Sequence, residues 1–140
     1  YRSPTELNQR FQRSWQSGKS PLGHGGRFAV ESYLDFHGNK FTRRFDANTY
    51  ITLVEAMNSH DVGRDRGGVE DALARVTATT LVLGTDSDRL FPIDGQHRIA
   101  RGIRSTIDDG AIVLSSDFGH DGFLIETTAV GAHLRRLLQA

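Results

Sequence analysis

Two short segments of this 140-residue chain concentrate groups able to move protons. The first is Gly84-Thr85-Asp86-Ser87-Asp88-Arg89-Leu90-Phe91-Pro92, and the second is Ser116-Asp117-Phe118-Gly119-His120-Asp121. A carboxylate on one loop can accept a hydrogen bond from an imidazole on the other. Such a pairing fixes the histidine tautomer and stabilises the imidazolium formed when the ring takes up a proton. Asp88 is the better placed carboxylate, because the spacing Gly84-x-x-x-Asp88-x-x-x-Pro92 favours it, and Asp86 is assigned to the turn itself. A lone Asp after a strand is more often a turn residue, and a lone His more often structural. It is the pair that points to acyl-transfer chemistry.

The flanking elements are what would bring the two loops together. Residues 80 to 84, Thr-Leu-Val-Leu-Gly, form a continuous β-prone run of the kind found in strands covered on both faces, and residues 111 to 114, Ala-Ile-Val-Leu, form a second apolar strand. Between them a helix is predicted over about 94–104, and a last helix follows over about 126–138. A short amphipathic helix is expected over 69–76. This α-β-α-β-α order implies a parallel pair with crossover helices. In open parallel sheets functional groups collect on loops leaving the carboxyl ends of strands, where both segments fall.

The first sixty residues follow a different pattern and are expected to be helical. Ser3 can cap a helix that Pro4 opens, with Glu6 at the position a capping box requires. Leu7 and Phe11 then share a face, giving a helix to about residue 13. Residues 14–26 read as a glycine-containing loop. From Phe28 to about Arg44 the apolar pattern is mostly helical, with a break expected near Gly38. Asp46 caps a further helix that carries Tyr50, Leu53, Val54 and Met57.

Composition narrows the class. Apolar residues make up 37% and charged residues 24%, and 17 basic residues balance 17 acidic ones, so no global field favours nucleic acid or an anionic membrane. The chain has no cysteine, which excludes disulfides, thiolate metal sites and a Cys nucleophile and suits a cytoplasmic protein. No apolar run approaches the roughly 20 residues that span a bilayer. The start, Tyr1-Arg2-Ser3-Pro4, is neither an initiator Met nor a signal peptide, and suggests a piece of a longer polypeptide.

Competing motifs are weaker. Asp86, Asp88, His120 and Asp121 could ligate a metal through oxygen and nitrogen, but no close two-histidine spacing supports it, and no metal is expected. His60-Asp61 and His120-Asp121 resemble the signature of an all-helical metallophosphohydrolase, yet His120 follows a strand. Gly18-Lys19-Ser20 imitates the end of a phosphate loop, but Arg13 stands where the first glycine belongs and no strand precedes it. A nucleophile is missing. No serine lies in a Gly-x-Ser-x-Gly elbow, and Ser20 has Leu22 where the second glycine belongs.

Five ordered motifs nevertheless resemble the homoserine O-acetyltransferases of the α/β-hydrolase superfamily. They are Tyr1-Arg2-Ser3, Arg44-Phe45-Asp46, Asn58-Ser59-His60-Asp61-Val62-Gly63-Arg64, Asp86-Ser87-Asp88-Arg89-Leu90-Phe91-Pro92, and Phe118-Gly119-His120-Asp121-Gly122-Phe123-Leu124. The likeness covers essentially the whole chain and corresponds to roughly the last two-fifths of a family member. It implies an α/β fold: the C-terminal part of an α/β-hydrolase, residues 63–140, preceded by a helical lid, residues 1–62, and lacking the N-terminal strands. In that superfamily the triad runs Ser, Asp/Glu, His along the chain, and Asp88 and His120 supply the last two in order.

The resemblance further implies a serine that takes acetyl from acetyl-CoA and passes it to the L-homoserine hydroxyl in methionine biosynthesis, with acetyl-CoA as a substrate and no permanently bound cofactor. Asp121 would meet the homoserine ammonium group, and Tyr1 would lie near the same pocket. The missing N-terminal portion would carry the nucleophile and an arginine for the substrate carboxylate. Phe91, Phe118, Phe123 and Leu124 are read as core or pocket wall. His60 to Arg64 would shape the junction between lid and core, and Arg64 is read as a solvated arginine in preference to a CoA-phosphate ligand. Homodimers pairing through the lid are expected, with no nucleic-acid or membrane partner. Three alternatives stay open: a relative using succinyl-CoA, one acylating serine, and a non-catalytic assembly module.

Overall fold

The structure is a computed structural model that describes residues 2–23 and 25–140. Tyr1, assigned to the substrate pocket on sequence, lies outside the described residues. The chain divides into two compact units: Asn8–His60, and Asp61–Ala140 together with the N-terminal segment through Leu7.

The unit Asn8–His60 is built from helices. Helix α1 spans Pro4–Phe11 and crosses into it, followed by α2 (Ala29–Thr42) and α3 (Ala47–Ser59). Between α1 and α2 the segment 12–28 is a loop with one 3₁₀ turn, Gln16–Gly18, pinned by an antiparallel bridge between Trp15 and Phe28. Glu31 opens α2 by accepting the N–H of Phe28 at 2.6 Å, and Asp46 caps α3 by accepting the N–H of Thr49 at 2.9 Å. The break expected at Gly38 does not occur. A single interior glycine costs a helix only about 1 kcal/mol relative to alanine, and the other residues of α2 carry it through. The rings of Phe11 and Tyr33, and of Phe41 and Tyr50, are among the aromatic contacts of this unit, at 5.0 and 5.3 Å. Helices α2 and α3 nevertheless bury no residue, and Phe36 and Met57 are 62% and 67% exposed.

The second unit is mixed α/β. It runs α4 (Val69–Leu73), β1 (Leu83–Thr85), α5 (Ile93–Gly102), β2 (Ile112–Leu114), a 3₁₀ turn (Gly119–Asp121), α6 (Gly122–Ile125) and α7 (Thr127–Gln139). The strands pair in parallel, with Leu83, Gly84 and Thr85 opposite Ile112, Val113 and Leu114. The predicted parallel α/β order is therefore present.

Its details differ from expectation in two places. The ladder is short: Thr80 bridges Thr106, but the partner segment then loops out over 107–111 before pairing resumes at Ile112. Helix α4 stops at Leu73, three residues early. In β2, Leu114 is buried while its neighbour Val113 is 48% exposed.

Ala72, Leu73, Val82, Ala100, Ile103 and Leu114 form the core of this unit. Gly102 lets α5 settle on α4, since a Cβ there would lie 2.5 Å from Leu73 Cδ1. An exposed ion pair, Arg98 to Glu70 at 2.6 Å, joins the same two helices and contributes little. Among the described residues, no helix is long and apolar enough to cross a membrane.

Candidate active site

Strand β1 ends at Thr85, and the chain turns at once. The Asp88 N–H donates to the Thr85 carbonyl at 3.1 Å, closing the turn. The Asp88 side chain then folds back on its own loop, and Oδ1 accepts the N–H groups of Leu90 (2.8 Å) and Phe91 (3.0 Å). This fixes the carboxylate plane and leaves Oδ2 directed at the second loop. Oδ2 lies 2.9 Å from His120 Nδ1.

The electrostatics follow from these contacts. The Asp88 side chain is 9% exposed, and burial alone would raise its pKa. The Phe91 N–H, the His120 ring and the Leu90 N–H together outweigh that effect, so the carboxyl titrates below its ordinary value. An ionised carboxylate can only accept a hydrogen bond, so Nδ1 carries the proton and Nε2 becomes the basic nitrogen. The imidazole is 25% exposed and sits between two rings, Phe91 at 5.1 Å and Phe123 at 5.5 Å.

His120 lies in the 3₁₀ turn that follows β2. Gly119 has φ +63°, which an L side chain adopts only with strain, so the glycine sets the angle at which the histidine leaves the loop. Gly122 allows α6 to approach β1, because a Cβ there would meet Thr85 Cγ2 at 2.9 Å and Ser116 Cβ at 3.1 Å.

Several side chains that tie the loops together carried no sequence signal of their role. Asp86 was assigned to the turn, and it does more: its Oδ1 accepts the Ser116 N–H at 3.1 Å, from the opposite loop. That bond is the largest reason its carboxyl, too, titrates low, with a contribution from Ser115. Ser87 donates its hydroxyl to the Ser116 carbonyl and accepts the Gly119 N–H at 3.0 Å. Ser3, read only as a helix cap, donates to the Asp117 carbonyl as well. Contacts across 29 or more residues leave no local pattern to read.

The other assigned residues fall as follows. Asp121 is partly exposed in the same 3₁₀ turn as His120, and among the described residues its carboxylate has no hydrogen-bond or ion-pair partner. Phe91 and Phe123 line a cavity of about 210 Å³ with Asp88, His120, Gln96 and Leu114. Phe118 and Leu124 were read as core or pocket wall; Leu124 is 62% exposed and Phe118 36%, so neither belongs to the core. His60 caps the end of α3, and Asp61 holds the following turn through the Gly63 N–H at 2.8 Å, so this run is a junction in the chain. Gly18 ends the 3₁₀ turn, and among the described residues no strand precedes Gly18-Lys19-Ser20. Among the described residues no three His, Asp or Glu side chains gather as a metal-binding group.

A carboxylate, a correctly oriented imidazole and a small half-apolar cavity make a base and its orienter. What the arrangement can do is take a proton from a hydroxyl placed at Nε2 and return it to a leaving group. Ser87, Ser115 and Ser116, the serines of these loops, are occupied in structural hydrogen bonds.

No protein-family model matches the chain. Individual proteins do. It is 70% identical over 139 residues to a homoserine O-acetyltransferase of Clavibacter michiganensis subsp. michiganensis, covering 99% of this chain and 36% of that protein. The homoserine O-acetyltransferase of Leifsonia xyli subsp. xyli is 68% identical over 141 residues, and that of Thermobifida fusca 52% identical over 138. The chain is a homologue of the homoserine O-acetyltransferases. It spans 35–36% of the length of these relatives and fits a C-terminal portion of them. The resemblance drawn from the five motifs thus extends to identity along nearly the whole chain.

Proposed function

We propose that these 140 residues are the base-bearing C-terminal portion of a homoserine O-acetyltransferase of the α/β-hydrolase fold, with residues 1–62 as a helical lid and 63–140 as part of the core. The observation that carries this reading is the 2.9 Å bond between His120 Nδ1 and Asp88 Oδ2, in a chain up to 70% identical to proteins of that name. The nucleophilic serine, the oxyanion-hole donors and the strands that hold them are supplied by polypeptide outside these residues. The half-exposed Val113 supports that placement, since a further layer would cover it.

The reaction then proceeds in two half-steps. His120 Nε2 takes the serine proton as the serine oxygen attacks the acetyl carbonyl, and the carbon–sulfur bond breaks with return of that proton to the CoA thiolate. His120 next takes the proton of the L-homoserine hydroxyl, whose oxygen attacks the acyl-serine ester, and the serine oxygen leaves with the proton. Splitting the transfer through a covalent ester replaces one difficult step with two easier ones. Asp88 holds the ring in the productive tautomer and stabilises the imidazolium in both halves. Asp121 receives the homoserine ammonium group; its partnerless carboxylate beside His120 supports the role. Tyr1, which lies outside the described residues, is assigned near the same pocket on the resemblance alone. The exposed apolar residues of α2 and α3, among them Phe36 and Met57, support pairing of two copies through the lid. The enzyme would serve methionine biosynthesis in the cytoplasm.

The test is a chimaera in which this chain replaces the matched part of the Clavibacter protein. With homoserine present it should release CoA from acetyl-CoA and not from succinyl-CoA. Turnover with succinyl-CoA alone would reassign the donor, and turnover with neither would remove the proposal.

A further inference from the structure

The loop bearing His120 is held from two directions, and only one of them is the neighbouring strand. The other is the start of the chain. Ser3 is 1% exposed. Its Oγ accepts the Glu6 N–H at 3.1 Å, capping α1, and donates to the carbonyl of Asp117, 114 residues away. A hydroxyl has one proton and two lone pairs, so it can cap a helix and bond a carbonyl together. The turn around it is closed by Arg2, whose guanidinium meets the buried Glu6 carboxylate at 2.5 Å. Asp117 stands three residues before His120, and the intervening Gly119 has φ +63°, so the carbonyl bonded by Ser3 lies within the segment that sets the direction of the imidazole.

We propose that Ser3 is a positioning residue for the base: its bond to Asp117 holds the Asp117–Gly119 backbone so that His120 Nδ1 meets Asp88. Asp86 and Ser87 fix the same loop from the β1 side, and Ser3 fixes it from the α1 side. The geometric part of this proposal stands without any reaction. Its effect on turnover rests on the transferase reading above.

The two parts are tested separately. In the 140-residue chain, solvent exchange of the His120 Nδ1–H is read by ¹⁵N NMR. Ser3→Ala should accelerate it about tenfold, and Ser3→Thr, which keeps both bonds, should restore it to within about twofold. In the chimaera, Ser3→Ala should lower kcat about tenfold with the KM for homoserine unchanged. Ser105→Ala is the control, because Ser105 Oγ ties Val76 and Ala78 at the opposite end of the strands and its loss should move neither readout.

Should Ser3→Ala fail to fold, Ser3→Asp replaces it: the cap survives, the donor to Asp117 is lost, and the same accelerated exchange is expected. Unchanged exchange in a folded Ser3→Ala or Ser3→Asp chain would overturn the proposal. So would an equal change in Ser105→Ala, which would make the effect one of general stability. If exchange responds but no chimaera turns over, the positioning role stands and the transferase reading falls.

Discussion

Asp88 and His120, 32 residues apart, meet at 2.9 Å because each follows the end of one of two strands paired in parallel. The register sets Thr85 opposite Leu114, so both chains leave the ladder at the same level and on neighbouring tracks. Everything else at the site serves to keep that distance. Asp88 is oriented by two N–H groups of its own loop, and the histidine loop is tied back by Asp86, Ser87 and Ser3.

Replacing Asp88 by Asn should separate geometry from charge. Asn can still accept the Leu90 and Phe91 N–H groups, so the loop should persist, but the amide no longer selects the Nδ1–H tautomer. In the chimaera kcat should fall by about 10⁴. Circular dichroism should report an unchanged fold, and a loss under tenfold would show that Asp88 is dispensable.

Ser87→Ala leaves the Ser116 carbonyl and the Gly119 N–H without their shared partner. Each lies between the two loops, and the expected loss is about 1–3 kcal/mol in urea unfolding. An unchanged midpoint would mean that water replaces the hydroxyl without cost.

Gly122→Ala tests the close approach of α6 to the strand end. The new Cβ would lie 2.9 Å from Thr85 Cγ2 and 3.1 Å from the Ser116 side chain, both on buried residues with little room to give. Destabilisation of about 1–3 kcal/mol is expected. Thr85→Ser, which removes the methyl in conflict, should recover part of it.

The acid limb of stability follows from Asp86 and Asp88. Both carboxyls titrate below their ordinary values in the folded chain, Asp86 chiefly through the Ser116 N–H and Asp88 because its hydrogen bonds outweigh burial. A depressed folded pKa contributes stability that is fully present above the unfolded value of about 3.9 and is lost as pH falls through the folded value. Unfolding free energy should therefore be nearly flat in these terms above about pH 5 and decline below about pH 4. Asp86→Asn should flatten that decline, and an equally steep fall in the variant would assign it to other groups.

Local chemistry was legible in the sequence and distant contacts were not. Ser3 as a cap, Asp46 as a cap and Asp86 in a turn all follow from neighbours within four residues. The pairing of Asp88 with His120 was also reachable, because two β-prone runs with an intervening helix imply adjacent strand ends. The second bond of Ser3 and the double role of Ser87 depend on backbone more than 25 residues away. Gly38 misled because a lone glycine weighs less than the helix around it. The strand run at Thr80 misled for another reason: its partner segment loops out over 107–111, which periodicity in one strand cannot reveal.

The most direct measurement of the central claim is turnover by the chimaera with and without the imidazole. His120→Ala should leave the fold and acetyl-CoA binding intact while abolishing CoA release in the presence of homoserine, because the imidazole that Asp88 orients is then gone. Release of CoA by His120→Ala at the unmodified rate would contradict the assignment of His120 as the base.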